Sequence, residues 1–303
     1  MKDQDESKAR AQGLFNIAVT PFKADGSIDL NGLSTNIERM LSLGYDGFLI
    51  GGTYGEFPSM DTVERAQLFK HVMQVVKNRV PVLLCTAHSD VRVVSELTIL
   101  AGNLGGLPMV MPPFVSEVTD CQIVNFFESV APLSKTGVMI YNAPGTGITL
   151  SVPLIERLCD VKQIVALKQG ELNPTTVDQL IGRISGRIRI LAASDLAMLG
   201  PLVLGFDGVS STNSCALPEV IKATFDTTRT GAASTAGELH RSWYSMRAVA
   251  RSLGQPQSTK AAMNLRGWCG GYVRKPLLDL VAEDLKSVQA ALRDSGVNNL
   301  RTA

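Results

Sequence analysis

The stretch Gln163-Ile164-Val165-Ala166-Leu167-Lys168-Gln169-Gly170 decides how the rest of the chain is read. Four of the five residues before Lys168 are apolar, the pattern of a strand buried on both faces of a parallel sheet. A lysine that closes such a strand has two readings. If the strand ends one residue early, the stem lies on apolar surface and the head reaches solvent. If the amine is buried, the charged form is disfavoured, and complete burial can lower a lysine pKa by roughly 3–5. The neutral amine is then a nucleophile toward carbonyls, the route to a Schiff base. The stretch alone leaves both readings open.

Outward from Lys168 the chain alternates in type. Apolar strands are predicted at 15–20, 47–51, 81–85, 107–111, 137–141, 187–191 and 208–212. Amphipathic helices are predicted between them, at 30–43, 61–76, 91–104, 119–133, 152–159, 175–184 and 195–204, with another from Pro218 onward. Asp29 and Asp61 sit where N-caps belong, and Gly44 where a helix stops. Eight short strands alternating with helices describe a (β/α)8 TIM barrel more simply than an open sheet. An open doubly wound fold is the alternative. It usually carries a Gly-rich phosphate turn after its first strand, and Val19-Thr20-Pro21-Phe22 is not one. Residues 13–230 are therefore assigned to the barrel. Residues 231–303 are read as a C-terminal helical extension packed on it, with a Gly-rich break at 267–271, all within one domain. The first dozen residues are expected to be a mobile tail.

Composition is consistent with this reading. The 303 residues, 45% hydrophobic, leave room for a barrel of about 250 residues and an extension. A net charge of +1 and a pI near 7.6 give no reason to expect nucleic acid or a membrane surface as partner. The first ten residues are charged without an apolar centre, unlike a signal peptide. No apolar run approaches the ~20 residues of a membrane span. Five widely spaced cysteines fit a reduced, cytoplasmic setting. The three histidines form no Cys/His pair with metal spacing, so neither a metal nor a cofactor is expected.

Barrels of this kind carry their reactive groups at the C-terminal ends of the strands. Strand two ends Gly51-Gly52-Thr53-Tyr54-Gly55-Glu56, where glycines free backbone amides and the Thr53 hydroxyl to meet a carboxylate. A tight turn capped by Thr53 is the plainer reading. Strand five ends at Tyr141, one strand before the lysine. Its phenol is either a proton shuttle held near an iminium or a core tyrosine bonded to a carbonyl. Strand seven ends Ala193-Ser194-Asp195, and Asp195 is either a helix cap or part of a polar group. Strand eight ends Ser210-Ser211-Thr212-Asn213.

Together these residues give a chain that resembles the dihydrodipicolinate synthase/N-acetylneuraminate lyase family over roughly residues 12–295. The resemblance rests on Val19-Thr20-Pro21-Phe22, Gly52-Thr53-Tyr54-Gly55-Glu56, Tyr141-Asn142-Ala143-Pro144, Ala166-Leu167-Lys168-Gln169, Gly205-Phe206-Asp207-Gly208-Val209 and Val273-Arg274-Lys275-Pro276-Leu277. It implies a TIM barrel, usually assembled as a homotetramer, whose lysine forms a Schiff base with pyruvate or the 2-oxo end of a keto acid. Lys168 matches the Schiff-base lysine, Tyr141 the proton-shuttling tyrosine, and Thr53 the first hydroxyl residue of the carboxylate-binding turn. Tyr54 stands where a second small hydroxyl residue usually binds the carboxylate, so only its amide and that of the Gly52 turn remain. Ser210 matches the strand-eight position whose carbonyl faces the keto acid.

Three features depart from the synthase of that family. Tyr54 is one. Residues 145–147 contain no arginine to hold an aldehyde's carboxylate, although Arg274 could fold back. Phe114 stands where a neighbouring subunit's relay tyrosine is usual. The first expectation is therefore cleavage or formation of a 2-keto-3-deoxy sugar acid, with pyruvate and an aldehyde as partners. Ser194, Asp195, Ser211 and Thr212 would bind the hydroxylated tail. Dehydration of such an acid, the synthase reaction on pyruvate and aspartate semialdehyde, and a non-catalytic keto-acid-binding barrel are the alternatives.

Overall fold

The computed structural model describes residues 4–144 and 148–301. Eight parallel strands close into a barrel in chain order, β1 (Gly13–Ile17), β2 (Gly47–Ile50), β3 (Val82–Cys85), β4 (Leu107–Val110), β5 (Val138–Asn142), β6 (Ile164–Gln169), β7 (Arg189–Ala192) and β8 (Gly208–Ser211). The helices between them are α2 (Leu30–Ser42), α3 (Thr62–Val76), α4 (Val91–Asn103), α5 (Asp120–Val130), α6 (Val152–Leu158), α7 (Pro174–Ile184) and α8 (Leu199–Leu204). Strand alternation sorts the apolar residues into two layers. Phe15, Leu49, Leu83, Met109, Met139, Ala166 and Leu191 fill the barrel, while Leu14, Phe48, Leu84, Val110, Ile140 and Leu167 face the helices.

The expected caps are in place. Asp29 accepts from the amide of Gly32, and Asp61 forms a reciprocal capping box with Glu64. The N-terminal segment departs from the expectation of a mobile tail. Residues Gln4–Arg10 form α1. Lys8 donates to the carbonyls of Gly186 and Arg187, Arg10 donates to Asn78, and Ala11 is buried, which together hold α1 to the barrel. Strand β1 correspondingly starts and ends earlier than predicted.

After β8 the chain continues as α9 (Pro218–Arg229), α10 (Ala233–Ser242), α11 (Tyr244–Leu253), α12 (Gln257–Leu265) and α13 (Ala282–Asp294). α13 packs on α11 and α12. The Gly-rich break is the start of a longer non-helical strap, residues 266–281, that returns to the barrel. Within it Tyr272 bridges to Phe22 in the segment after β1. No helix among the described residues is long and apolar enough to cross a membrane.

Candidate active site

β5 and β6 run side by side with Tyr141 and Lys168 as direct partners in register. Lys168 shares its strand face with Ala166, so it points into the barrel, where it is 3% exposed. Its Nζ lies 3.7 Å from the centroid of the Tyr141 ring, close enough for a cation–π contact when the amine is charged. The lysine head is therefore inside the barrel and not in solvent.

Across the barrel mouth, β2 leads through Gly51 and Gly52 into a single 3₁₀ turn, Thr53–Gly55. A Cβ at Gly52 would stand 2.6 Å from the end of the Leu49 side chain, which would have to move to admit a larger residue. The Thr53 hydroxyl is buried and has no hydrogen-bond partner among the described residues. An unsatisfied buried hydroxyl is destabilising, and a bound acceptor or donor would remove that penalty. The Tyr54 phenol is pushed above its ordinary pKa, by burial first and then by the charges of Tyr141 and Asp195. The turn and these two residues thus share one electrostatic neighbourhood.

At the ends of β7 and β8, where the tail-binding cluster is expected, Asp195 and Ser211 are bonded to each other. Ser194, not Asp195, caps the turn that follows β7, by accepting from the amide of Leu196. Asp195 is fully buried and turned toward β8. Its carboxylate accepts from the Ser211 hydroxyl, the Asn213 amide at 3.1 Å and the Asn213 side chain at 2.9 Å. Burial still outweighs these bonds and holds its pKa above the usual carboxylate value. Asp195 and Ser211 are therefore engaged with each other. The Thr212 hydroxyl is buried without a partner among the described residues, and the Ser210 hydroxyl donates to the carbonyl of Ala192 at 3.3 Å. Behind this cluster, Nε2 of His240 lies 3.2 Å from the Asp195 carbonyl and Arg247 lies 3.1 Å from its Nδ1.

Phe114 is half-buried and packs against the inner apolar cluster that includes Tyr141. The segment 145–147, read as lacking an arginine, lies outside the described residues. Arg274 does not fold back into the site. Its guanidinium binds Glu64, the carbonyl of Gly26 and that of Ser59.

Three buried charges escaped the sequence reading. Arg65 of α3 is 1% exposed and donates to the carbonyls of Cys85 and Ala87 at the end of β3. Glu56 and Lys260 are each 2% exposed and form an ion pair 2.5 Å long. Lys260 lies in Ser258-Thr259-Lys260-Ala261-Ala262-Met263, a stretch otherwise small or apolar, which is the signal that could have marked it.

The comparisons with known proteins bear on the barrel as a whole. The model of the "Dihydrodipicolinate synthetase family" matches residues 10–295. The 4-hydroxy-tetrahydrodipicolinate synthase of Oceanobacillus iheyensis is 28% identical over 279 residues, covering 91% of this chain and 94% of that one. That of Desulforamulus reducens is 30% identical, covering 89% and 93%. Among solved structures, a prophage protein of the dihydrodipicolinic acid synthase family from E. coli K12, in complex with pyruvate, superposes with a TM-score of 0.89 at 26% identity, covering 95% of this chain and 99% of that one. The dihydrodipicolinate synthase from Aquifex aeolicus superposes with a TM-score of 0.91 at 25% identity, covering 96% and 100%. With its lysine and tyrosine paired at the mouth of a closed barrel, the chain belongs to the dihydrodipicolinate synthetase family, whose members are class I aldolase-type enzymes.

Proposed function

We propose that Lys168 forms a Schiff base with a 2-oxo acid, pyruvate in the simplest case, and that the enzyme makes or breaks a carbon–carbon bond at the neighbouring carbon. The observation that carries this reading is the register pair of Tyr141 and Lys168, buried together with the amine nitrogen 3.7 Å from the ring centroid. The amine adds to C2 and water leaves as the imine forms. The protonated imine withdraws electrons, so C3 loses a proton and becomes an enamine. The enamine attacks the aldehyde carbon, and the aldehyde oxygen takes up a proton as the C3–C4 bond forms. Hydrolysis of the imine returns the free lysine. Tyr141 carries the proton in these steps. The Thr53 hydroxyl and the amides of Gly52 and Tyr54 hold the substrate carboxylate, with the Ser210 carbonyl facing the keto acid.

The names of the curated relatives support condensation of pyruvate with aspartate semialdehyde better than turnover of a sugar acid, and we take the synthase reaction as the first reading. The engagement of Asp195 with Ser211 supports the same choice, because it leaves fewer free groups for a hydroxylated tail. Cleavage or dehydration of a 2-keto-3-deoxy sugar acid is the second reading. It is favoured by Phe114, which has no hydroxyl to relay a proton. A homotetramer in the cytoplasm is carried with either reading.

The test is reductive trapping. Incubation with pyruvate and borohydride, followed by digestion, should place the label on Lys168. A label on another lysine, or none, would overturn the Schiff-base reading and favour a non-catalytic barrel.

A further inference from the structure

The turn that bears Thr53 and Tyr54 is not backed by packed side chains throughout. A cavity of about 260 Å³ separates Thr53 and Glu56 on the turn side from Gln255, Pro256, Arg274 and Pro276 on the C-terminal side. Packing alone therefore does not fix the turn against the extension. Two side chains cross the gap: Arg274, which donates to the Ser59 carbonyl at 2.8 Å, and Glu56. Glu56 follows the turn with a left-handed backbone, φ 61°, a conformation that is strained for a non-glycine residue and persists only where its surroundings enforce it. One carboxylate oxygen of Glu56 meets Lys260 Nζ at 2.5 Å, and the other accepts from the Arg274 amide at 2.9 Å. Lys260 in turn donates to the Tyr272 carbonyl at 2.6 Å. On the barrel side the Thr20 hydroxyl donates to the Gly55 carbonyl at 2.8 Å. Glu56, whose amide donates to the Thr53 carbonyl at 3.2 Å, is thus anchored by a buried carboxylate that α12 and the strap clamp from behind.

A buried ion pair contributes little net stability compared with apolar residues of the same volume, whereas leaving one partner alone is strongly destabilising. Its presence here calls for a use other than stability. We propose that the Glu56–Lys260 pair is a positioning device. It sets the place of the Thr53 hydroxyl and the turn amides, and so the affinity of the site for the substrate carboxylate, through the C-terminal extension. This inference rests on the Schiff-base reading.

The experiment uses the full chain, pyruvate at graded concentrations, borohydride trapping and thermal melting. The variants are Glu56→Gln and the charge-free double Glu56→Gln with Lys260→Met. Glu56→Gln leaves Lys260 buried without a counter-ion and should melt several degrees lower. The double variant should recover the melting temperature. Its half-saturating pyruvate concentration should nonetheless stay about 10- to 100-fold above wild type, as expected for a carboxylate site displaced by a fraction of an ångström to an ångström. The yield of adduct on Lys168 at saturation should be retained. A double variant that melts like wild type and is trapped at wild-type pyruvate concentrations would show the pair to be structural only. Absence of trapping in the wild-type protein would instead refute the Schiff-base reading itself, so the two failures are distinct.

Discussion

Removing the Tyr141 hydroxyl leaves the ring over which the Lys168 amine lies, so the two groups can be separated by a single atom. Tyr141→Phe should keep imine formation in part while turnover falls about 10²–10⁴-fold, the usual loss for a general acid–base group. Steady-state kinetics beside borohydride trapping would measure both, and near-wild-type turnover would make Tyr141 a structural residue. His240 gives a pH prediction. Arg247 has only donors, so Nδ1 of His240 accepts and its Nε2–H donates to the Asp195 carbonyl, which keeps the ring neutral. Burial first, and the Arg247 charge next, lower its pKa below 6.5. Below about pH 6.5 the unfolded chain takes up a proton that the folded chain resists, so this contribution is fully present at higher pH and is lost on acidification. His240→Gln should therefore melt lower at about pH 8 but lose less stability between about pH 7 and pH 5 than wild type does. A steeper loss in the variant would contradict the assignment. Lys168 and Tyr141 were legible because each is a reactive group in an otherwise apolar strand. The bonding of Asp195 was not, because its partners Ser211, Asn213 and His240 lie 16, 18 and 45 residues away.

At the scale of elements, the barrel closes where β1 meets β8, and there two glycines face one another. Gly13 and Gly208 are register partners, and a Cβ on Gly208 would stand 2.2 Å from the Gly13 carbonyl oxygen. That contact is with backbone, which cannot swing aside as a flexible side chain can. Gly208→Ala should destabilise the fold by about 1–3 kcal/mol, the range for an overpacked core site. Denaturant unfolding would measure it, and an unchanged midpoint would show that the seam adjusts freely. The strands and most barrel helices could be read from alternation, apolar faces and caps such as Asp29 and Asp61, since these signals are local. α1 and the strap over residues 266–281 could not. Each is held by contacts to distant carbonyls and carboxylates, such as Lys8 to Gly186 or Arg274 to Glu64, that leave no periodic trace.

At the scale of the whole molecule, the open question is the aldehyde. With Arg274 held by Glu64, any cation for an anionic aldehyde must come from elsewhere. A side-by-side comparison of kcat/KM for aspartate semialdehyde condensation and for a panel of 2-keto-3-deoxy sugar acids should favour the semialdehyde if the first reading holds. Each charge-assisted hydrogen bond missing from the site would lower that preference by about 1.5–3 kcal/mol, or roughly 10- to 150-fold. A clear win for a sugar acid would reverse the order of the two readings. The register pair of Tyr141 and Lys168 bears on how such preferences can diverge. Adjacent strands lie about 4.8 Å apart whatever side chains they carry, so the spacing of the two backbone positions that bear phenol and amine is a property of the peptide ladder. The loops beyond the strand ends lie outside that ladder and vary independently of it. Drift in those loops can therefore change what the enzyme consumes while the reacting pair is passed on unaltered.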